Sequence, residues 1–292
     1  MKNIILITSL CLSSVAVQAH GGRTNKDGCH TNKKTDDYHC HTKKKKQVNT
    51  KAVRIITSKQ YQSSFGTATS TKSDLMRLDY EGFTVWLDCS RRGAVKFQYN
   101  AQRDAGNYKR HSSFFLDPKV PKNCQQFTGK SYGHKYDRGH LVPANHLDYS
   151  KTAIKASNNM ANIMPQAANM NRGAWLLTEE ITECYRDIDE LLIIGGVIWG
   201  NNPNDDYFVR SHGVKTPDAF WKVIIRGSGS DERAIAWIVP NSQDAKRKQL
   251  DNYLVTIDEI ERVTGELIPV ADYVKHKRLG NSWVLPKGCD KS

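Results

Sequence analysis

Hydrophobic and polar residues follow two periodicities along the chain beyond residue 80. Alternating or continuous apolar runs bounded by Gly, Asn, Pro and Ser predict strands at residues 82–87, 94–99, 191–199, 219–226 and 234–239. Apolar positions at helical spacing predict helices at 171–187 and 256–263. Because strands and helices do not alternate regularly and the sequence holds no nucleotide-type glycine loop, we predict an α+β fold, with a mostly antiparallel sheet flanked by helices.

The N-terminal residues have the pattern of an export signal. Lys2 precedes an uncharged, mostly apolar stretch over residues 4–17, and Val17 and Ala19 supply the small side chains that precede a cleavage site. We predict a signal peptide over residues 1–19, cleavage after Ala19 and a secreted or periplasmic protein. Beyond these residues no apolar run reaches the roughly 18–20 needed to cross a bilayer, so we expect no membrane segment in the mature form.

The cysteine count agrees with an oxidising compartment. Without Cys11 in the signal, six cysteines remain, an even number that is typical of disulfide-bonded exported proteins. Six cysteines allow 15 pairings, and the sequence does not choose among them. The one local pairing we favour joins Cys29 to Cys40, with metal ligation or free thiols as the alternatives.

Composition divides the mature chain into a segment at residues 20–51 and one globular domain at residues 52–292. The segment is rich in His and Cys, nearly lacks aliphatic residues, and carries nine Lys and Arg against three Asp. Its Tyr38-His39-Cys40-His41 run resembles a small Tyr-His-x-His module of exported bacterial proteins. Metal binding and a disulfide-closed basic tether are both open interpretations, and the run of lysines at 43–46 suits a linker or a phosphate-attracting arm.

The most informative cluster is YDRGHLVPANH at residues 136–146. His140 can accept a proton from water near neutral pH, and Arg138 can bind a phosphate oxygen. Asp137 can fix the tautomer of the histidine. These are the groups that phosphodiester hydrolysis needs, although a structural histidine beside an Asp-Arg pair gives the same short pattern.

A second cluster lies at the predicted helix that starts at Asn171. Trp175 and Glu179 follow at spacings of four and eight, so the three side chains share one face of an α-helix. An amide oxygen and a carboxylate on one face suit Mg²⁺, which prefers oxygen ligands and keeps several waters. The alternative is that Asn171 only caps the helix and that Glu179 is solvated.

The joint spacing of DRGH at 137–140, NIMPQ at 162–166, NRGAW at 171–175 and Glu179 resembles the DNA/RNA non-specific endonucleases of the ββα-metal class. The resemblance spans roughly residues 80–240. It implies a ββα-metal motif in which His140 is the general base, Asn171 ligates Mg²⁺ and Glu179 orders the water shell of the ion. Mn²⁺ or another divalent ion is the alternative cofactor.

The resemblance also assigns supporting residues. Arg138 corresponds to a transition-state stabiliser, Asn162 and Asn158 to polar residues that line the site, and Arg110 to an upstream arginine in a looser alignment. One departure concerns the position one turn after Glu179, where the family often has Arg and this chain has Glu183. Whether Arg186 substitutes for that arginine is left open by the sequence.

These observations predict a secreted, metal-dependent endonuclease that hydrolyses DNA and RNA with little sequence preference. The formal net charge of +13 suits a polyanionic substrate, since Lys and Arg give sequence-independent phosphate contacts. A protein inhibitor is a further expected class of partner, and the oligomeric state is not predicted. The alternative from another class is a non-catalytic exported protein that captures DNA.

Overall fold

The computed structural model describes residues 29–32, 37–40, 75–201 and 203–289. Residue contacts divide the chain into two units, Met1–Arg54 and Ile55–Ser292. In the first unit, β1 (Cys29–Asn32) pairs antiparallel with β2 (Asp37–Cys40), and the register sets Cys29 opposite Cys40 and His30 opposite His39. The predicted signal peptide, its cleavage site and the lysine run lie outside the described residues, as do the side chains of this hairpin, so a Cys29–Cys40 bond stays a prediction.

The second unit is built on a six-stranded antiparallel sheet, which confirms the predicted α+β class. The strands are β3 (Leu75–Tyr80), β4 (Phe83–Asp88), β5 (Gly93–Ala101), β8 (Leu191–Ile198), β9 (Ala219–Arg226) and β10 (Arg233–Pro240). Their order across the sheet is β10-β9-β8-β5-β4-β3. The five predicted strands appear with bounds shifted by at most two residues, whereas β3 was not predicted by the hydrophobic pattern.

Both faces of this sheet are covered, and β9 shows why. Phe220 and Ile224 point to one hydrophobic core, while Trp221 and Val223 point to the other. Successive side chains of a strand alternate between faces, so a nearly continuous apolar run is what a strand buried on both sides requires. Lys222 interrupts the run, shares the face of Phe220 and is 0% exposed.

A separate two-stranded ribbon carries the DRGH residues. Strand β6 (Tyr136–His140) pairs antiparallel with β7 (Ile163–Ala167), and His140 lies opposite Ile163. The chain then enters a helix directly, which completes the ββα arrangement. The hydrophobic pattern did not predict either strand, because β6 is mostly polar and β7 contains Pro165, a residue that is confined to sheet edges and short ribbons.

The helix after β7 begins earlier and less regularly than predicted. It starts as α2 (Ala168–Met170), passes through a π-helical turn at Asn171–Trp175 and continues as α3 (Leu176–Arg186). The backbone N–H of Ala174 donates to the carbonyl of Ala245 at 3.2 Å. A Cβ at Gly173 would lie 2.9 Å from the backbone nitrogen of Arg247, so this close approach requires glycine.

The remaining helices of the described residues are short. They are α1 (Lys151–Ser157), α4 (Ile257–Thr264), α5 (Asp272–Lys275) and 3₁₀ turns at Ala144–His146, Met160–Asn162, Pro203–Asp205, Gly229–Asp231 and Arg247–Tyr253. The hydroxyl of Thr256 accepts from the backbone N–H of Glu259 and caps α4, which ends at Gly265 with φ of +70°. Among the described residues, no helix is long and apolar enough to cross a bilayer.

Two disulfides stabilise the second unit. Cys89 after β4 bonds to Cys124, and Cys184 on α3 bonds to Cys289 near the C-terminus. The second bond closes a loop with a sequence separation of 105. It therefore attaches the C-terminal segment to the helix that carries Glu179.

Candidate active site

A cleft of about 720 Å³ opens between β6, the π-turn with α3, and the loop at residues 104–110. Five of the predicted site residues line it together: Arg110, Arg138, His140, Asn171 and Glu179. Its other charged and amide side chains are Asp104, Asn107, Lys109, Asn145, Asp148 and Arg172. The imidazole of the DRGH run and the amide at the helix start thus face the same space.

The hydrogen bonds of His140 define its tautomer. Its Nε2 lies 2.9 Å from Oδ1 of Asn158, whose Nδ2 donates to the carbonyls of His111 and Ser113 at 2.6 and 3.0 Å. Because the amide nitrogen of Asn158 is committed to two carbonyls, its oxygen must face the imidazole and accept from Nε2–H. The lone pair of His140 is therefore on Nδ1.

Nδ1 of His140 accepts a hydrogen bond in this structure. Its donor is Nη2 of Arg110 at 3.3 Å, and His140 is only 7% exposed. Burial, together with the positive charge of Arg110, lowers the pKa of His140 to about 4. The imidazole is therefore neutral at physiological pH, which is the form a general base requires.

Asp137 does not orient His140, in contrast to the prediction from the sequence. Asp137 and His140 are three residues apart on β6, so their side chains leave opposite faces of the strand. The carboxylate of Asp137 instead accepts from Nε and Nη2 of Arg172 at 2.8 and 2.6 Å. Its Oδ2 also accepts from Nδ2 of Asn171 at 2.9 Å.

This contact gives Asp137 a different role, the orientation of Asn171. With Nδ2 of Asn171 bound to a carboxylate, Oδ1 is the atom left for a ligand in the cleft. The side chain of Arg172 is 72% exposed, so the Asp137–Arg172 pair is screened by solvent. The hydrogen bond from Asn171 is therefore the contact that matters for the site.

Arg138 is held against the wall of the cleft. Its Nη1 donates to the carbonyl of Gly129 at 2.7 Å, and its guanidinium lies 3.9 Å from the centroid of the Phe114 ring. Arg110 and Arg172 line the same cleft, so three guanidinium groups contribute positive charge to it. Guanidinium groups in such positions suit bidentate contacts with phosphate oxygens.

The cleft also contains carboxylates. Burial raises the pKa of Glu179 to about 7, although the positive charges of Lys222 and Arg110 act in the opposite direction. Burial and the neighbouring Asp104 raise the pKa of Asp148 as well. The cleft is thus lined by both carboxylates and guanidinium groups.

Asn162 lies outside the cleft and has a structural role. It is 0% exposed, its Oδ1 accepts from the backbone N–H of Val142 at 3.0 Å, and its Nδ2 donates to the carbonyls of Val142 and Ser157. These contacts connect the segment after β6 to the end of the helix at Lys151–Ser157. Asn158, which the resemblance named beside Asn162, is the asparagine that contacts the base.

The structure also answers the question about Arg186. This residue is 3% exposed, and its guanidinium pairs with Glu183 and with Asp104. Glu183 in turn lies 2.7 Å from Nε2 of the buried His146. Arg186 therefore pairs with the buried Glu183 and with Asp104 of the cleft wall, and it does not itself line the cleft.

The donor set fits a hydrated divalent cation. The oriented amide oxygen of Asn171 and the carboxylate of Glu179 are hard oxygen ligands, and Oδ1 of Asp148 is buried without a hydrogen-bond partner in the described structure. Within residues 75–201 and 203–289, no group of three His, Cys, Asp and Glu side chains is arranged to hold a metal ion. An ion that keeps several of its waters and takes few protein ligands suits this arrangement.

Fold and site together define a ββα nuclease class, and comparison with known proteins identifies the family. The family model for DNA/RNA non-specific endonucleases matches residues 56–277. The chain belongs to this family, as the motif resemblance predicts.

Relatives agree with that assignment. The chain is 27% identical over 171 residues to human mitochondrial nuclease EXOG, covering 54% of this chain and 46% of the relative. It is 32% identical over 174 residues to a nuclease of Nostoc sp., covering 55% of this chain and 60% of that one. The matches span about half the length of such curated relatives.

A solved structure shows the same fold. The structure of an EndoG/EndoGI complex superposes with a TM-score of 0.54 at 20% sequence identity, covering 66% of this chain and 84% of that one. At this identity the likeness concerns the fold alone.

Proposed function

We propose that this protein is a metal-dependent endonuclease that hydrolyses phosphodiester bonds of DNA and RNA with little sequence preference. The observation that carries the proposal is the shared cleft, which is lined both by a neutral His140 and by Asn171, whose amide nitrogen donates to Asp137. A base, a candidate cation site and several guanidinium groups then line one cleft.

The residues of this chain divide the reaction among them. Arg110 transfers its hydrogen bond from Nδ1 of His140 to a phosphate oxygen, and Nδ1 then takes a proton from a water molecule as that water attacks phosphorus in line with the leaving 3′ oxygen. Arg138 and Arg110 bind the non-bridging oxygens, where negative charge grows. A divalent ion held by Asn171 and by water contacts to Glu179 would supply further positive charge to the phosphorane and the leaving oxygen.

Mg²⁺ is the proposed ion, with Mn²⁺ as the alternative, because amide and carboxylate oxygens suit hard cations. DNA and RNA are the proposed substrates, since no group in this scheme reads base edges. A protein inhibitor is a further proposed class of partner. The solved EndoG/EndoGI structure, which concerns EndoG inhibition, supports that class by analogy alone.

The deciding experiment is cleavage of plasmid DNA and of RNA by the purified mature chain, with Mg²⁺ and with EDTA. We expect both polymers to be degraded only with the metal, and His140→Ala to lose nearly all turnover while nucleic-acid binding persists. A chain that binds DNA tightly but does not nick a plasmid supports the non-catalytic DNA-capturing protein instead.

Export belongs to the same proposal. The signal pattern of residues 1–19 and two disulfides in the described domain both suit an oxidising compartment. N-terminal sequencing of the protein recovered from the periplasm or medium should begin at His20. Recovery of uncleaved protein from the cytoplasm would contradict this part of the proposal.

A further inference from the structure

Lys222 is a fully buried lysine at the centre of β9. It is 0% exposed and lies in a strand whose other residues are almost all apolar and buried. Lysine is almost never fully buried unless its charge is compensated, because the ammonium loses its hydration. The position therefore needs a partner of opposite charge and a reason to be charged at all.

Lys222 contacts the helical segment that carries Asn171 and Glu179. Its Nζ donates to Oγ1 of Thr178 at 2.7 Å and lies 3.9 Å from the centroid of the Trp175 ring. The hydroxyl of Thr178 donates in turn to the carbonyl of Trp175 at 2.7 Å. Thr178 directly precedes Glu179, and Trp175 ends the π-turn that starts at Asn171.

Charge links Lys222 to Glu179 as well. Burial lowers the pKa of Lys222 to about 8, and the interaction with Glu179 opposes that change. Burial raises the pKa of Glu179, and the positive charges of Lys222 and Arg110 lower it. The ammonium is thus one of the charges that compensate this carboxylate.

We propose that Lys222 is a positioning residue for the cation site: it ties the first turn of α3 to the sheet and compensates Glu179 from below, so that this carboxylate is in place before a cation binds. The inference rests on the proposed function of the same cleft. It extends that function to a residue of β9 that does not line the cleft.

Lys96 provides a matched control in the same sheet. Its Nζ lies 2.7 Å from Oε2 of Glu266 and 5.0 Å from the centroid of the Trp86 ring. Like Lys222, Lys96 therefore lies near an aromatic ring and a carboxylate. It is on β5, however, and does not line the cleft.

The test uses the full mature chain with Lys222→Met or Lys96→Met. Mn²⁺ binding is measured by electron paramagnetic resonance, and the Mg²⁺ concentration for half-maximal DNA cleavage and the melting temperature are measured beside it. Because groups behind a metal site typically contribute about tenfold or more to affinity, we expect Lys222→Met to raise the Kd for Mn²⁺ about tenfold. The KM for DNA should stay the same, and Lys96→Met should leave the Kd unchanged.

A second arm separates positioning from simple packing. If Lys222 acts through Glu179, Lys222→Met should weaken Mn²⁺ binding in the wild-type background and add nothing in a Glu179→Gln background. The inference would be overturned if Lys222→Met weakened Mn²⁺ binding equally in both backgrounds. It would also be overturned if folded Lys222→Met bound Mn²⁺ as tightly as the wild type or more tightly. If Lys222→Met does not fold, Thr178→Val removes the acceptor of Nζ and is judged by the same criteria.

The proposed function can fail separately. A wild-type chain that binds Mn²⁺ but cleaves neither DNA nor RNA overturns the nuclease proposal, while the binding data still decide the role of Lys222. A wild-type chain that binds no Mn²⁺ overturns both.

Discussion

Oδ1 of Asn158 lies 2.9 Å from Nε2 of His140, and this contact decides which nitrogen of the imidazole can act as the base. The amide of Asn158 cannot turn over without losing its bonds to the carbonyls of His111 and Ser113. Burial lowers the pKa of His140 more than the hydrogen bond to this neutral amide raises it, whereas a carboxylate in place of the amide would raise the pKa further. The choice of asparagine therefore favours a base that stays neutral.

The first prediction concerns Asn158. Because general-base catalysis contributes roughly 10²- to 10⁴-fold, Asn158→Ala should lower kcat about 100-fold by freeing the tautomer of His140. Asn158→Asp should raise the pKa of His140. The limb of the pH–rate profile that reports protonation of His140 should therefore move to higher pH. Steady-state kinetics from pH 4 to 9 measure both effects.

Asn100→Ala is the matched control for that experiment. The amide of Asn100 donates to Glu190 at 2.9 Å on the surface, outside the cleft. Its kcat and pH profile should equal those of the wild type. A pH profile of Asn158→Asp that superimposes on the wild-type profile would contradict the role of Asn158.

The residues that sequence could identify are those whose chemistry follows from local spacing. His140 belongs to one short motif, and Asn171 and Glu179 belong to one helix. Their convergence needs only the ββα connection. By contrast, the orientation of His140 by Asn158 depends on loop carbonyls more than forty residues upstream of that asparagine, which no local pattern contains.

Two further features show where local patterns stop being informative. The polar ribbon strand β6 has no hydrophobic alternation, since its partner β7 and not a large sheet supports it. Lys222 did leave a signal, a single charge within an otherwise apolar predicted strand. That signal marks a buried charge but does not name the partner, because the partner lies on a helix that is distant in sequence.

The second prediction separates the two contacts of Asp137. Asp137→Ala should raise the Mg²⁺ concentration for half-maximal activity about tenfold, because the amide of Asn171 loses the acceptor that orients it. Arg172→Ala should change that concentration less, since the hydrogen bond between Asn171 and Asp137 remains. Metal titrations of both variants at constant ionic strength test this order, and a larger effect of Arg172→Ala would reverse the assignment.

The third prediction is that Asn162 contributes to stability and not to catalysis. Asn162→Ala leaves buried backbone groups of Val142 and Ser157 without partners, which should lower the free energy of unfolding by about 1–3 kcal/mol. Urea denaturation measures this loss. At a temperature where the variant is fully folded, kcat should stay close to the wild-type value, and a large fall in kcat there would show that Asn162 serves the reaction directly.

The fourth prediction concerns pH and metal together. Burial raises the pKa of Glu179 to about 7, so at limiting Mg²⁺ the carboxylate gains its charge, and activity rises, as the pH increases through 7. The pKa of His140, lowered to about 4, leaves the base neutral over that whole range. Saturating Mg²⁺ favours the ionised carboxylate of Glu179 and should move the limb that this carboxylate causes to lower pH.

Glu179→Gln decides whether this limb belongs to Glu179. The glutamine cannot ionise, so the variant should be slow at every pH and should lose the limb near pH 7, while the protonation of His140 at lower pH remains. Rates measured from pH 4 to 9 at two Mg²⁺ concentrations give the comparison. If the variant keeps the limb near pH 7 with the same dependence on Mg²⁺, another group in the cleft controls the metal, and Asp148, whose pKa burial also raises, is the next to replace.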